Sequence, residues 1–181
     1  IAKAATDEGV RASLFVDLNV GMNRTGIAPG PEAEALFARV AESDSLHARG
    51  LHGYDGHLHD SDLSVRRKKM QDAFAPVWKL KDSLEASGLT VETMIVSGTA
   101  TSAEMAKSYD VEVGAGTTVL WEQGQPNRCP EKRFLNAAVL LARVISHPAA
   151  NRICIDLGHK AVASEFQPPR VAFFGLESAK P

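Results

Sequence analysis

"LFVDLNVGMNRTGIAPGPEAEALFARV", residues 14–40, holds the reading that decides the fold. Leu14 to Leu18 is an almost continuous apolar run, which predicts a strand buried on both faces rather than one with a polar side. The run then empties into Asn19, Gly21, Asn23, Arg24, Thr25 and Gly26. A turn alone would need only one Gly or Asn. Pro31-Glu32 next opens a helix, Pro being tolerated in a first turn, with Ala35, Leu36, Val40 and Ala41 as its apolar stripe. Strand, polar loop and helix form one unit. Arg24 in that loop has a guanidinium that can direct hydrogen bonds to a phenolate, carboxylate or phosphate. Taken alone, it reads equally as a surface arginine.

The unit repeats along the chain. A strand is expected at 49–53, followed by a polar loop. A long helix over 62–87 should present Leu63, Met70, Phe74, Val77, Trp78 and Leu84 on one face. Pro76 should kink it, and Gly88 suits its C-terminal cap. "VETMIVSG" (91–98) gives a strand at 92–96, and "TATSAEMAKS" a short Ser/Thr-capped helix. "DVEVGAGT" (110–117) gives a strand at 111–113. With the first strand at 13–18, the order β-α-β-α-β-α-β implies four parallel strands, as in half of a (β/α)8 barrel. Beyond about residue 119 the pattern changes. Residues 137–147, 152–158 and 170–176 read as strands with no helix between them, the start of a mostly antiparallel β-domain. The expected division is 1–118 and 119–181.

Composition narrows the function classes. The 181 residues carry a formal net charge of −2. No basic stripe accompanies "RRKK" at 66–69, which reads as the solvated face of a helix, so nucleic acid is not the expected partner. Cys129 and Cys154 are too few for a disulfide framework. No signal peptide or membrane-length apolar run is visible, which makes the cytoplasm the expected location and a membrane role unexpected.

Chemistry-bearing residues gather where the strands end. "GYDGHLHD" offers Tyr54, Asp55, His57, His59 and Asp60, with His52 just before. The spacing fits no paired-Cys or H-E-x-x-H metal pattern, and an imidazole acting as acid, base or stacking partner is the better reading. "VSGTATS" and "VGAGTT" each set Gly beside Ser or Thr just after a strand. Exposed amides and hydroxyls there suit an anion, and two such loops on adjacent strands match the phosphate site of barrel enzymes. Either loop alone is equally well a tight turn.

In this order, "VDLNVGMNRTGI", "GLHGYDGHLHD", "VSGTATS", "EVGAGTT" and "IDLGHKAVASE" resemble the D-threonine aldolase and D-serine dehydratase family of alanine-racemase-like (fold-type III) pyridoxal-phosphate (PLP) enzymes. The resemblance implies the C-terminal half of a PLP-binding (β/α)8 barrel followed by a β-domain. It places Arg24 near the cofactor's phenolic oxygen and His57 against the pyridine ring, the two being the implied catalytic residues. Ser97, Gly98, Thr99, Gly116 and Thr117 would hold the phosphate, with Tyr54 a further pocket residue. Implied too are a small D-β-hydroxy amino acid as substrate, cleaved to glycine and an aldehyde, and a homodimer as the complete assembly. Dehydration of a D-serine-like substrate, or a non-catalytic PLP-binding role, are the alternatives.

The departures are specific. The family's Schiff-base lysine lies in a Pro-His-x-Lys-like context that this sequence does not contain. Its His-x-Cys or His-x-Asp metal pair is also missing, so the divalent metal would find its ligands elsewhere in the complete protein. Where racemase relatives place an arginine facing the pyridine nitrogen, this chain has Gly114. The chain therefore reads as an internal piece of a longer protein, catalytically silent by itself.

Overall fold

The computed structural model describes residues 1–162 and 170–176. Its centre is a four-stranded sheet in the order β1-β2-β3-β4, formed by Ala12–Leu18, Leu46–Tyr54, Thr93–Ser97 and Glu112–Gly114. Every neighbouring pair is parallel, as the alternating pattern requires. The connecting helices are α2 (Pro31–Ala41), α3 (Leu63–Ala86) and α4 (Ser102–Ser108). A helix the sequence reading did not anticipate, α1 (Ala2–Asp7), precedes β1.

Side-chain alternation sorts the strands into two faces. Val16, Leu18, Leu51, Met94 and Val96 are buried against the helices in one cluster with Phe37, Met70, Phe74, Val77, Leu80 and Leu84. Phe15, Asp17, His52, Tyr54, Ile95 and Ser97 alternate with them on the other face, and each is only half-buried. The expectation that β1 is buried on both faces is thus corrected: only its helix-facing residues are sealed.

α3 begins at Asp62, whose carboxylate accepts from the amides of Ser64 (2.7 Å) and Val65 (3.1 Å). Such a cap contributes about 1 kcal/mol. Pro76 lies inside one unbroken helix. Two expectations for helix faces are revised. α2 buries Ala33 and Phe37, while Leu36 faces solvent, because the stripe is turned one position from the one read off the sequence. In α3, Arg66 is not on a solvated face but 1% exposed. Its guanidinium donates to the carbonyls of Ala100 (3.2 Å), Asp60 (2.5 Å) and Arg128 (3.0 Å) and pairs with Glu131. These bonds draw residues 125–132 over the start of α3 and the loop after β3.

That covering segment contains a single turn of helix, α5 (Gln125–Arg128), and buries Trp121 and Cys129. The Trp121 and Phe134 rings meet at a tilt of 55°, their centroids 4.9 Å apart. Among the described residues, β-structure beyond it is confined to an antiparallel hairpin, β5 (Val144–Ala149) with β6 (Arg152–Ile155). Residues 137–143 and 170–176, expected as strands, form none. Their apolar composition fits a strand, but among the described residues none pairs with them in a ladder, and Leu141 stays 93% exposed. Part of the "IDLGHKAVASE" motif, and the tail of the expected β-domain at 177–181, lie outside the described residues.

Candidate active site

The loop after β1 is built by one side chain. Asn19 Oδ1 accepts from the amides of Gly21 and Asn23, both at 3.0 Å, and Asn19 Nδ2 donates to Asn23 Oδ1 at 3.0 Å. Asn23 adopts a left-handed backbone (φ 55°), a conformation Asn tolerates better than most residues. The chain then returns to β1, Ile27 N donating to Asp17 O at 2.9 Å and Asn19 N to Ile27 O at 2.8 Å. The loop's small polar residues are thus spent on holding one geometry. That geometry lays the Arg24 guanidinium over the Tyr54 ring, 4.6 Å from its centroid.

Tyr54 ends β2 and pairs in register with Ser97, the last residue of β3, which in turn pairs with Gly114 on β4. Around this row lies a cavity of about 350 Å³ lined by Tyr54, Asp55, Gly98, Thr99, Gly116 and Thr117 among others. The two glycine loops converge on it, Thr99 Oγ1 and Thr117 Oγ1 meeting at 2.5 Å. A Cβ at Gly116 would touch nothing within 4 Å, so this backbone borders open space. At Gly98 the same atom would fall 1.8 Å from Asp55 Oδ1, and φ is 150°, so only glycine fits the loop as folded. α4 has seven residues, so its dipole adds little; amides and hydroxyls are the groups a ligand would meet on this wall.

Asp55 is the charge that organises this wall. It is 1% exposed, accepts from Thr101 Oγ1 at 2.9 Å, and leaves Oδ2 without a partner. Burial raises its pKa to about 6, against the opposing pull of the Thr101 hydroxyl, its own backbone and Lys132. Lys132 arrives on the covering segment and donates to Thr99 O and, at 3.4 Å, to Ser102 Oγ. Burial lowers its pKa. Asp55, Lys132, Gln125 and Arg128 were not anticipated as parts of this wall. Asp55 was visible beside Tyr54, but the other three stand in a segment without periodicity or motif, and only folding brings them here.

Of the anticipated residues, Tyr54, Gly98, Thr99, Gly116 and Thr117 line the cavity together, with Arg24 over Tyr54 and Ser97 beside Gly114. His57 is elsewhere: its Nε2 lies 2.9 Å from where a Gly21 Cβ would stand, and its Nδ1 is buried without a partner. Burial lowers its pKa, so it is held neutral. The histidines do not converge, since His59 sits at the cavity and His52 bonds to Asp17 and Ser97. Among the described residues no group of three or more His, Cys, Asp or Glu side chains is placed to hold a metal.

A phosphorylated pyridine needs an anion cradle, an aromatic wall and a cation for an acidic ring substituent. The glycine loops with Thr99 and Thr117, Tyr54, and Arg24 supply these, so the residues present fit such a group. The Asp55 carboxyl borders this cradle; burial raises its pKa to about 6, and the Lys132 ammonium acts on it in the opposite sense.

Fold and site together define an alanine-racemase-type β/α protein whose cavity lies at the C-terminal ends of parallel strands. Residues 1–120 match the alanine racemase N-terminal domain, and residues 137–180 a putative serine dehydratase domain. The chain belongs to the alanine racemase N-terminal domain family. It is 25% identical over 97% of its length to a D-threonine aldolase of Arthrobacter sp, covering 47% of that protein. To a 3-hydroxy-D-aspartate aldolase of Paracoccus denitrificans it is 26% identical, over 99% of this chain and 48% of the relative. The chain thus spans about half the length of the curated relatives it matches. The crystal structure of a D-threonine aldolase from Filomicrobium marinum superposes with a TM-score of 0.82 at 28% identity, over 90% of this chain and 45% of that one. An alanine racemase from Streptomyces lavendulae, 20% identical with a TM-score of 0.51 over 72% of this chain and 34% of that one, shares the fold. No helix among the described residues is long and apolar enough to cross a membrane.

Proposed function

We propose that the complete protein is a PLP-dependent lyase that cleaves a small D-β-hydroxy amino acid to glycine and an aldehyde. The observation that carries this reading is the convergence of the Arg24–Tyr54 stack and the Thr99–Thr117 contact on one cavity. The names of the relatives supply the substrate class. When bound, the cofactor supplies an electron-withdrawing ring conjugated to the substrate α-carbon. Arg24 holds the ring's acidic oxygen with a planar, permanently charged donor. Gly98, Thr99, Gly116 and Thr117 hold the phosphate through amides and hydroxyls, with Ser97 beside them as the last residue of β3, and the buried wall of Asp55 and Leu58 keeps water from it. The ring-facing role implied for His57 passes in this reading to Tyr54, which lines the cavity, while His57 braces the Arg24 loop through Gly21. The lysine that joins the cofactor, and the ligands of a divalent metal, belong to other parts of the complete protein. We therefore expect the present chain alone to be inactive.

The match of residues 137–180 to a putative serine dehydratase domain favours one second reading, dehydration of a D-serine-like substrate. The full-length protein loaded with PLP should be given D-threonine, D-3-hydroxyaspartate, D-serine and their L-enantiomers. Glycine and an aldehyde from the D-forms support the aldolase reading, ammonia and a keto acid the dehydratase. Turnover of none of them overturns both.

A further inference from the structure

Three side chains on consecutive strands form a hydrogen-bonded row across the sheet face opposite the helices. Asp17 and His52 are register partners on β1 and β2, and Asp17 Oδ1 lies 2.7 Å from His52 Nδ1. His52 Nε2 lies 3.1 Å from Ser97 Oγ on β3. Ser97 stands in register between Tyr54 and Gly114, both of which line the cavity. A Cβ on Gly114 would come within 2.5 Å of Ser97 Oγ, so the missing side chain at 114 is what leaves room for the hydroxyl. The row therefore ends at a hydroxyl flanked in the sheet by two residues of the cavity lining.

One tautomer of His52 gives every group in the row a partner of the right kind. An ionised carboxylate only accepts, so His52 Nδ1 carries the proton facing Asp17. With His52 in that tautomer Nε2 has a lone pair, and the Ser97 O–H donates to it. With its proton committed, Ser97 Oγ has only lone pairs to offer toward Gly114 and the cavity. We propose that Asp17 and His52 are positioning residues that hold the Ser97 hydroxyl as an obligate acceptor for a protonated ring nitrogen of the bound ligand. This rests on the reading of the cavity as a PLP site and deepens it. Such an acceptor keeps the pyridine nitrogen protonated, the form in which the ring withdraws electrons most strongly. It achieves this without a charged residue at position 114. No proton changes place in this arrangement.

The test uses the full-length protein with PLP labelled with 15N in the ring. Ser97→Ala and His52→Phe should each move the ring-nitrogen resonance toward its unprotonated value, and the double variant should move it no further than Ser97→Ala alone. Asp17→Asn should shift the imidazole 15N resonances of His52 away from the Nδ1–H tautomer. PLP affinity, read by fluorescence titration, should change less than about threefold in His52→Phe and Asp17→Asn, since neither side chain holds the phosphate. Circular dichroism checks folding; should His52→Phe fail to fold, His52→Asn takes its place. An unchanged ring resonance in Ser97→Ala overturns the proposal, as does an equal effect of the His52 variant with and without Ser97. Absence of PLP binding by the wild-type protein would instead overturn the underlying reading of the cavity.

Discussion

The guanidinium of Arg24 and the ring of Tyr54 face each other at 4.6 Å, although thirty residues and a helix separate them in the chain. Arg24 is exposed, so the stack adds little to stability, of order 0.5–1 kcal/mol. Its value lies in holding a cation over the cavity rim. In the complete protein, Arg24→Ala should weaken PLP binding about tenfold or more while the thermal midpoint barely moves, and Arg24→Lys should recover only part, lacking the planar fork. Fluorescence titration and calorimetry check the two halves.

Gly116 and Gly98 make a matched pair. Gly116→Leu puts its side chain into open space, so folding should be unaffected while cofactor affinity falls as the cavity fills. Gly98→Ala drives a methyl into Asp55 and should destabilise by about 1–3 kcal/mol. Urea midpoints beside PLP titrations separate the outcomes. Undiminished affinity in Gly116→Leu would remove the phosphate loop from the site.

Asp55 predicts a pH dependence. Its folded pKa, about 6, lies above its ordinary 3.8, so folding favours the protonated form. The associated stability is full below about pH 4 and is lost as pH rises through about 6. The loss is about 2–3 kcal/mol. Asp55→Asn removes this dependence, so the variant should gain stability on wild type between pH 5 and pH 7.5. Thermal melts at the two pH values measure it.

Arg66 should be a principal stabilising residue outside the hydrophobic cluster. Arg66→Ala strands three carbonyls and the Glu131 carboxylate, a loss of about 3–5 kcal/mol. Arg66→Lys should recover little, because one ammonium cannot span the same acceptors. Because the covering segment would detach, amide exchange should rise first in residues 125–132.

Borohydride reduction of this chain with PLP should label no lysine stoichiometrically, peptide mass mapping being the readout. Lys132, beside Thr99 and with a lowered pKa, is the side chain expected to take any trace label. One fully labelled lysine together with turnover of a D-β-hydroxy amino acid would overturn the expectation that the chain alone is inactive.

The sequence by itself determined the sheet and the loops that carry the glycines. Apolar runs, Asn19 and the Gly-Ser/Thr pairs act through local dihedral preference and short hydrogen bonds, and these are legible within a few residues. The four strands accordingly fall where the pattern set them. Three things were decided only by tertiary structure. Arg66 reads as one of four surface charges until the carbonyls of Asp60, Ala100 and Arg128 surround it. Residues 137–143 and 170–176 have strand composition but join no ladder among the described residues, and a strand exists only once another backbone pairs with it. The row Asp17–His52–Ser97 depends on register between strands, a quantity set by packing the helices against one face, so no spacing along the chain announces it.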